Sequence, residues 1–304
     1  MAGCKHGNHG DIKVGKPRWL RRSLPSGPEY EKMRQLIKRS QLNTVCQEAQ
    51  CPNQFECYSQ GTATFMILGD RCTRNCRFCA VGHKPQGPPD RDEPERVAEA
   101  VATLALRYAV ITSVTRDDLA DGGAALFAAT IRAVRRRRPK TLIEVLIPDL
   151  QGDWQALATI VEAGPDVLNH NVETVASLYG RVRPEAVYRR SLELLAESKR
   201  KNPRLPTKSG IMLGLGESRQ ELVRTWDDLL SVGCDILTLG QYLQPSSGHL
   251  PVVRFVEPAE FAELERLAQA RGFAGVAAGP FVRSSYQAES LYQKVRTEQQ
   301  ESGG

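Results

Sequence analysis

Two short groups of three cysteines lie close together in the sequence. The 304-residue chain contains eight cysteines, and six of them fall within a stretch of 34 residues. In chain order these are Cys46, Cys51, Cys57, Cys72, Cys76 and Cys79. The chain is too long for a small secreted disulfide scaffold, so cysteines clustered in this way indicate metal or redox chemistry in a reducing compartment.

The second group has the spacing C-x3-C-x2-C and follows a predicted strand directly. A zinc site takes four ligands, usually from two C-x2-C pairs. Three thiolates with no fourth ligand nearby leave a coordination position open, and a 4Fe–4S cluster held by three cysteines has one iron free for a small molecule. A zinc loop or three plain reduced thiols is the alternative interpretation of this spacing.

The first group has the spacing C-x4-C-x5-C and predicts a second iron–sulfur cluster, whose fourth ligand must come from elsewhere. Cys4 and Cys234 are candidates by their chemistry. Cys234 precedes a predicted strand, so we expect it to be a core residue. Cys4 lies near His6 and His9 and is expected to bind metal weakly at most.

Strands that alternate with helices position both groups. Strands are predicted over Ala63–Leu68, Tyr108–Val114, Thr141–Ile147, Asp166–Asn171, Lys208–Leu213 and Ile236–Tyr242, with a further short one over Ala274–Ala278. Helices are predicted over Glu29–Ser40, Pro94–Leu106, Gly123–Arg137, Asp153–Ala163, Ser218–Val232 and Pro258–Arg271. Six repeats indicate parallel βαβ units, in an open doubly wound sheet or an incomplete barrel.

The composition is that of a globular protein. It is 41% hydrophobic and 25% charged, and its mean hydropathy is −0.38. The sequence has no run of 18 apolar residues, so no membrane span is predicted. Its first residues lack an apolar signal segment, so we expect a cytoplasmic location. The net charge of +6 favours an acidic partner. No basic and aromatic stripe predicts nucleic-acid binding.

The second cysteine group resembles that of the radical S-adenosylmethionine (SAM) superfamily, in which an aromatic residue precedes the last cysteine. The stretch Gly210-Ile-Met-Leu-Gly-Leu-Gly-Glu217 resembles that superfamily's G-x-I-x-G-x-x-E strand, which lies beside the adenine of SAM. The fourth predicted strand ends in Asn169-His-Asn171-Val-Glu173, which places polar groups at the carboxyl end of a strand, where barrel active sites lie. The resemblance implies that Cys72, Cys76 and Cys79 hold the SAM-binding cluster, with SAM contacts at Phe78, Asn171, Glu173 and Gly214.

The whole pattern resembles the lipoyl synthase family from about Gly27 to Tyr292. The carrying motifs are C-x4-C-P-N-x2-E-C, C-T-R-N-C-x-F-C and Arg-Ser-Ser-Tyr-x-Ala at 283–288. The resemblance implies that Ser285 is the fourth ligand of an auxiliary 4Fe–4S cluster, beside Cys46, Cys51 and Cys57. Gln47 departs from the family pattern, in which many members carry Glu, but it removes no ligand.

That resemblance implies sulfur insertion at C6 and C8 of a protein-bound octanoyl-lysine. Two SAM molecules would be used for each lipoyl group, and the auxiliary cluster would be the sulfur donor. The implied partners are octanoylated carrier domains (acyltransferase subunits of 2-oxoacid dehydrogenases and the glycine cleavage H protein), an electron donor such as ferredoxin or flavodoxin, and iron–sulfur assembly proteins. Neither nucleic acid nor a membrane is expected as a partner.

The implied fold is α/β, a partial (βα)6 TIM-type barrel with an N-terminal extension and a C-terminal tail that closes the barrel mouth. Residues 1–28 would be a flexible or wrapping arm, and 29–61 would be the extension that carries the auxiliary cysteines. Residues 62–280 would form the barrel, and 281–304 the C-terminal segment.

Three other interpretations are weighed against this one. A methylthiotransferase carries additional modules for which the chain is too short. A biotin-synthase-like enzyme would lack the first cysteine group. A non-enzymatic iron–sulfur or zinc scaffold would need neither an open iron nor a SAM-binding strand.

Overall fold

The computed structural model describes residues 17–21, 28–48, 53, 64–83 and 87–302. Its strands are β1 (Asn43–Thr44), β2 (Thr64–Ile67), β3 (Arg71–Cys72), β4 (Gly82–His83), β5 (Tyr108–Ser113), β6 (Leu142–Leu146), β7 (Val167–Asn169), β8 (Thr207–Leu213), β9 (Ile236–Gln241) and β10 (Gly275–Gly279). Its helices are α1 (Pro28–Arg39), α2 (Val45–Glu48), α3 (Glu93–Thr103), α4 (Ala124–Arg137), α5 (Trp154–Glu162), α6 (Tyr179–Val182), α7 (Tyr188–Lys201), α8 (Arg219–Ser231), α9 (Pro258–Ala270) and α10 (Ala288–Ser302).

The main sheet has the strand order β1-β2-β5-β6-β7-β8-β9-β10. Strand β1 pairs antiparallel with β2, and every other neighbouring pair in this sheet is parallel. The α/β prediction with a mostly parallel sheet is therefore confirmed. The short run at 274–278 is a full member of the sheet. Seven strands therefore run parallel, one more than the six strand–helix repeats predicted from the sequence. Strands β1 and β10 are the two edges within the described residues.

Local sequence explains most of these elements. The parallel strands are buried along nearly their whole length, which suits their apolar, β-branched runs. Helix α8 begins with a capping box, in which Ser218 and Glu221 each bind the other's backbone N–H. Pro94 occupies the first turn of α3, where its missing N–H costs nothing.

Helix α7 is not among the predicted helices, although it fills the connection between β7 and β8. Only Ser191, Leu194, Leu195 and Ser198 of its fourteen residues are buried, and most of the rest are charged or polar. Two leucines and two serines give too weak an apolar stripe for a pattern search. Strand β7 also ends earlier than predicted, at Asn169, because the next residues turn into the site described below.

The C-terminal segment packs on the β10 edge of the sheet. Leu291 and Val295 of α10 form an apolar cluster with Ile236, Ala277 and Val282. The Tyr292 ring lies 6.5 Å from that of Tyr108 in β5. No helix among the described residues combines the length and the apolar character needed to cross a lipid bilayer.

Candidate functional site

The inner face of the sheet surrounds a cavity of about 490 Å³. Residues of β2, β5, β6, β8 and β9 line it, so the sheet curves around it. Cys72, Cys76 and Cys79 all contribute to the wall, near the carboxyl ends of the strands. The second cysteine group therefore faces a partly open cavity, at the end of the sheet where α/β enzymes place their active sites.

A strained turn leads from β2 into the cysteine loop. Leu68 has a φ of +68° and Gly69 a φ of +93°, and such values are costly for a leucine. The carboxylate of Glu93 accepts a hydrogen bond of 2.8 Å from the Leu68 N–H. Gly123 packs below, where an added Cβ would lie 2.2 Å from Leu68 Cδ1. These long-range contacts hold the turn in place.

Arg74 fixes the middle of the cysteine loop to two strands. Its Nε and Nη2 donate to the two oxygens of Asp117, at 2.6 and 2.9 Å. Its Nη2 also donates to Asp149 Oδ1 at 2.6 Å. Asp117 follows β5 and Asp149 follows β6, and the side chains of Arg74 and Asp149 are buried. A guanidinium suits this role because its planar fork binds a carboxylate with two hydrogen bonds.

Arg74 and Asp149 also shift one another's ionisation. Burial raises the pKa of Asp149, but its hydrogen bond and attraction to Arg74 outweigh burial and lower that pKa to about 2. Burial likewise lowers the pKa of Arg74, and the two carboxylates raise it overall. Arg74 and Asp149 are therefore both charged at neutral pH.

The outer side of the cysteine loop is anchored to the end of α6 and to the loop that follows β9. Arg77 N–H donates to Val182 O at 3.0 Å, and its carbonyl accepts from Leu250 N–H at 3.1 Å. His249 Nε2 lies 2.9 Å from the carbonyl oxygen of Cys79, which can only accept, so Nε2 is the donor. His249 Nδ1 lies 2.8 Å from the Ser246 hydroxyl oxygen.

The thiols of the loop fit an iron–sulfur cluster. All three are free of disulfides. Burial raises the pKa of Cys76, and it raises the pKa of Cys79 to about 12, so the iron of a bound cluster must supply the charge that stabilises the thiolates. The described residues hold no set of three His, Cys, Asp or Glu arranged around one metal ion. A cubane binds each cysteine to a different iron, so it does not need that convergence.

Polar groups without partners line the cavity wall after β7. Asn171 Nδ2 donates to Glu173 Oε1 at 3.0 Å and to Ser284 Oγ at 2.6 Å. Asn171 Oδ1 is buried and has no partner among the described residues. Glu173 has a φ of +66°, and burial raises its pKa. Gly210 leaves room here, because an added Cβ would lie 2.8 Å from Asn171 Oδ1. An unsatisfied oxygen beside open space is typical of a ligand site.

Arg183 belongs to the same wall and is missed by the sequence patterns. Its Nη1 donates to the backbone oxygens of Asn171 and Val172 at 2.9 and 3.3 Å, and its guanidinium carbon lies 5.4 Å from the centre of the Tyr179 ring. Its Nε is buried without a partner in the described structure. Its charge lowers the pKa of Cys76 against the larger effect of burial. No motif marks this arginine, since only the fold brings it to the cysteines.

Comparison with known proteins places the chain in a family. A sequence model of the Radical SAM superfamily matches residues 66–229. A lipoyl synthase from Desulfotalea psychrophila is 67% identical over 292 residues, which cover 96% of this chain and 98% of the relative. The chain belongs to the lipoyl synthase family. A lipoyl synthase from Symbiobacterium thermophilum is 56% identical over 274 residues, with 90% and 86% of the two chains covered.

Membership of the lipoyl synthase family establishes the reaction and its cofactors. The protein is an enzyme that inserts sulfur by radical SAM chemistry. Its cofactors are SAM and 4Fe–4S clusters, with the auxiliary cluster as the sulfur donor. Among solved structures, that of HydG, a maturase of the FeFe-hydrogenase, matches with a TM-score of 0.57 and 14% identity, over 76% of this chain and 54% of that chain. Identity this low shows only a shared fold.

The residues expected to contact SAM in a lipoyl synthase fall into two groups, those that line the cavity and one that does not. Phe78, Asn171 and Glu173 line the cavity. Gly214 is not among the lining residues and forms a tight turn with a φ of +97°, where an added Cβ would lie 2.4 Å from Arg254 O. Its N–H donates to Glu217 Oε1 at 2.7 Å. The structure therefore gives Gly214 a role in turning the chain after β8.

The auxiliary-cluster residues expected for a lipoyl synthase are only partly described. Cys51 and Cys57 lie outside the described residues, and Cys46 belongs to α2 with its side chain not described. Val45, its neighbour, lines the cavity, as does Ser285. Asn53 Nδ2 donates to Phe281 O at 2.6 Å, so a residue that lies between Cys51 and Cys57 in the sequence contacts the C-terminal segment.

The two remaining cysteines differ. Cys234 is buried with 2% exposure, and its Sγ lies 3.4 Å from Ile236 O. Burial raises its pKa far above the ordinary value for a thiol. The expectation that it is a core residue is confirmed. Cys4 lies outside the described residues.

Proposed function

We propose that this cavity is the site where SAM and the octanoyl chain meet, with Cys72, Cys76 and Cys79 as ligands of the SAM-binding cluster. When bound, that cluster and SAM supply a carbon radical that abstracts hydrogen from C6 and C8, and the auxiliary cluster supplies the sulfur. The observation that carries the proposal is the convergence of three free thiols and unsatisfied polar groups on one cavity.

The wall residues suit the polar parts of SAM. Arg183 offers a buried positive charge and an unused Nε–H, which we assign to the SAM carboxylate. Asn171 and Glu173 offer an amide oxygen and a carboxylate for its hydroxyl or amino groups. Phe78 packs beside the apolar cluster of Val182 and Leu250 and gives the cavity an apolar side. Gly214 acts on SAM only through the turn that it forms.

The strand residues that line the middle of the cavity suit an acyl chain. They include Met66, Val110, Leu146 and Ile211, whose side chains are largely apolar. An unactivated C–H bond offers no acidic proton, so the enzyme needs an apolar wall that excludes water from the radical rather than a general base.

We propose that Ser285, with Cys46, Cys51 and Cys57, holds the auxiliary cluster. Ser284 and Ser285 both line the cavity, but Ser284 Oγ accepts the 2.6 Å hydrogen bond from Asn171. No hydrogen bond engages the Ser285 hydroxyl within the described residues, so its oxygen is available to iron. The contact between Asn53 and Phe281 supports this assignment, because Asn53 lies between Cys51 and Cys57 in the sequence and Phe281 belongs to the segment that carries Ser285.

The finer architecture is proposed on the same grounds. We propose a partial (βα)6-type barrel over residues 62–280, with residues 29–61 and 281–304 closing its mouth and 1–28 as an arm. The open strand order and the cavity contacts of Val282 and Ser285 support it.

The proposed substrate is an octanoylated carrier domain. Ferredoxin or flavodoxin would serve as the electron donor, and iron–sulfur assembly proteins would restore the auxiliary cluster. The proposed location of the reaction is the cytoplasm.

Anaerobic reconstitution tests the two-cluster assignment. We expect about eight irons per chain. We also expect two sulfurs to replace two hydrogens on an octanoylated carrier, a change in mass that mass spectrometry measures. Four irons, or stoichiometric zinc, would contradict it. Ser285→Ala should retain SAM cleavage and lose lipoyl formation, whereas the matched Ser284→Ala should keep the auxiliary iron. Lipoyl formation by Ser285→Ala at the full wild-type rate would remove Ser285 from the cluster.

A further inference from the structure

The outer side of the cysteine loop presents a small surface to solvent. Arg77 lies between Cys76 and Cys79 in the sequence and is exposed. Arg181 is exposed, and Val253 has 53% exposure. A Cβ added at Gly216 would lie 3.8 Å from both Arg181 Nη2 and Val253 Cγ2, so these two side chains are neighbours. Arg77, Arg181 and Val253 are called the cysteine-loop face below.

The cysteine-loop face rests on a firm base. The Arg77 backbone is hydrogen-bonded to Val182, the residue after Arg181, and to Leu250. Beneath it, Val182 and Leu250 belong to one buried apolar cluster, against which Phe78 packs. The face is therefore preformed, which limits the ordering cost of a partner that docks there.

The charge of this face is not neutralised within the described part of the chain. Neither Arg77 nor Arg181 has an ion pair there, and Arg181 Nη2 donates to the backbone oxygen of Leu215 at 2.6 Å. Two acids lie close by: Glu185, whose Oε1 accepts from the Asn75 N–H at 3.1 Å, and the buried Glu217, whose carboxylate accepts from the N–H groups of Gly214 and Leu215. Exposed cations beside an exposed valine suit a transient interface with an acidic protein, because charge steers the encounter and apolar contact adds affinity.

None of the three residues lines the cavity. A carrier domain that delivers an octanoyl chain must contact the cavity mouth, whereas an electron donor needs only to approach the cluster. Arg77 directly follows a proposed cluster ligand, and consecutive Cα atoms lie about 3.8 Å apart. The face thus offers a donor close approach without blocking the cavity.

We propose that the cysteine-loop face docks an acidic one-electron carrier protein that reduces the SAM-binding cluster. This rests on the proposed function, in which Cys72, Cys76 and Cys79 hold that cluster. In each transfer the carrier is oxidised by one electron and the cluster is reduced by one. No bond forms or breaks in this step, and no atom moves between the two proteins.

Charge reversal tests the proposal on the reconstituted full chain. The test variant is Arg77→Glu with Arg181→Glu. The control is Lys140→Glu with Arg204→Glu, which reverses two exposed cations before β6 and β8, at the amino ends of the strands. At low ionic strength, reduced flavodoxin should reduce the test variant at least about tenfold more slowly than the wild type. The loss of cluster absorbance measures the rate of reduction. The control should match the wild type.

Dithionite separates the two proposals, because a small reductant needs no docking surface. Dithionite-driven SAM cleavage by the test variant should stay within about twofold of wild type. A normal rate of reduction by flavodoxin would overturn the docking proposal, as would a raised KM for the octanoylated carrier with that rate unchanged. Absence of SAM cleavage by the wild type with dithionite would instead contradict the proposed function. The neutral variant Arg77→Gln with Arg181→Gln should show an intermediate rate.

Discussion

Two buried ionic networks lie at opposite ends of the parallel sheet. At the carboxyl ends, Arg74 binds Asp117 and Asp149. Toward the amino ends, Lys208 Nζ lies 3.1 and 3.2 Å from the two oxygens of Glu144, with both side chains almost completely buried. The first network joins a loop to two strands, and the second joins strands to one another.

The amino-end network is completed by neutral donors. Tyr108 OH donates to Glu144 Oε2 at 2.6 Å, and Asn169 Nδ2 donates to Glu144 Oε1 at 3.0 Å. Burial, and next the nearby Glu144 carboxylate, raise the pKa of Tyr108. None of these residues lines the cavity, although Val110 and Leu146, two positions further along their strands, do. Alternation along a strand therefore places the network one layer below the cavity on the inner face.

The comparison shows that a buried ion pair serves two different purposes in one fold. The carboxyl-end network sets the geometry of the loop that carries three cysteines. The amino-end network fills the inner face of the sheet where the cavity ends, and its charged pair joins β6 to β8 across the intervening strand β7. Disruption of the first should affect the site more than stability, and disruption of the second should do the reverse.

The largest effect is expected from Glu144→Leu. This change leaves the buried Lys208 ammonium without a carboxylate, which costs about 3–5 kcal/mol of unfolding free energy. Urea unfolding of the anaerobic apoprotein measures it. The double variant Glu144→Leu with Lys208→Met removes both charges and should recover much of that loss. A loss below about 1 kcal/mol in the single variant would show that the pair is not a structural element.

Mild acid should act on the carboxyl end of the sheet. Burial, together with the charge of Arg183, lowers the pKa of His170 to about 4. His170 Nδ1–H donates to Ile147 O at 2.8 Å, and its Nε2 accepts from Ser191. The unfolded chain binds a proton near pH 6.5, so this contribution is complete above that pH and is lost as the pH falls toward 4.

The expected slope for His170 is about 1.4 kcal/mol of unfolding free energy per pH unit in that window. Urea unfolding at several pH values measures it, and His170→Asn, which keeps a donor for Ile147, should flatten it. Above pH 7 the slopes of the two proteins should agree. An unchanged slope between pH 6.5 and 4 in the variant would show that another group controls acid sensitivity.

Arg74→Lys should separate the site from stability. Lysine keeps the charge but loses the forked contact with Asp117, so we expect a stability loss of about 1–2 kcal/mol. Because the loop geometry changes, SAM cleavage should fall about tenfold or more, which corresponds to about 1.4 kcal/mol. The iron content and the cleavage rate measure this. Wild-type cleavage in the variant would show that the network does not position the cysteines.

The smallest effect is expected from His249→Gln, which can retain a donor for the Cys79 carbonyl. His249→Ala removes that donor and should cost about 0.5–1.5 kcal/mol. The readout is the reduction potential of the SAM-binding cluster, which should shift in the alanine variant and stay near wild type in the glutamine variant. Identical potentials in all three proteins would limit His249 to packing.

Much of the fold could be predicted from the sequence, because parallel strands buried on both faces have continuous apolar runs and their helices have an apolar stripe. Helix α7 could not be predicted in this way, since only four of its side chains are buried. The seventh parallel strand is short and rich in glycine and alanine, which weakens its signal.

The sequence by itself determined the spacing of the two cysteine groups, the alternation of strands and helices, and the family that both resemble. Only the tertiary structure brought Arg183 and Asn171 to the cysteines, tied Arg74 to Asp117 and Asp149, and showed that Ser284 is bound to Asn171 while Ser285 is not. These contacts join residues up to 113 positions apart. Strand order and register decide them, and local periodicity carries no information about either.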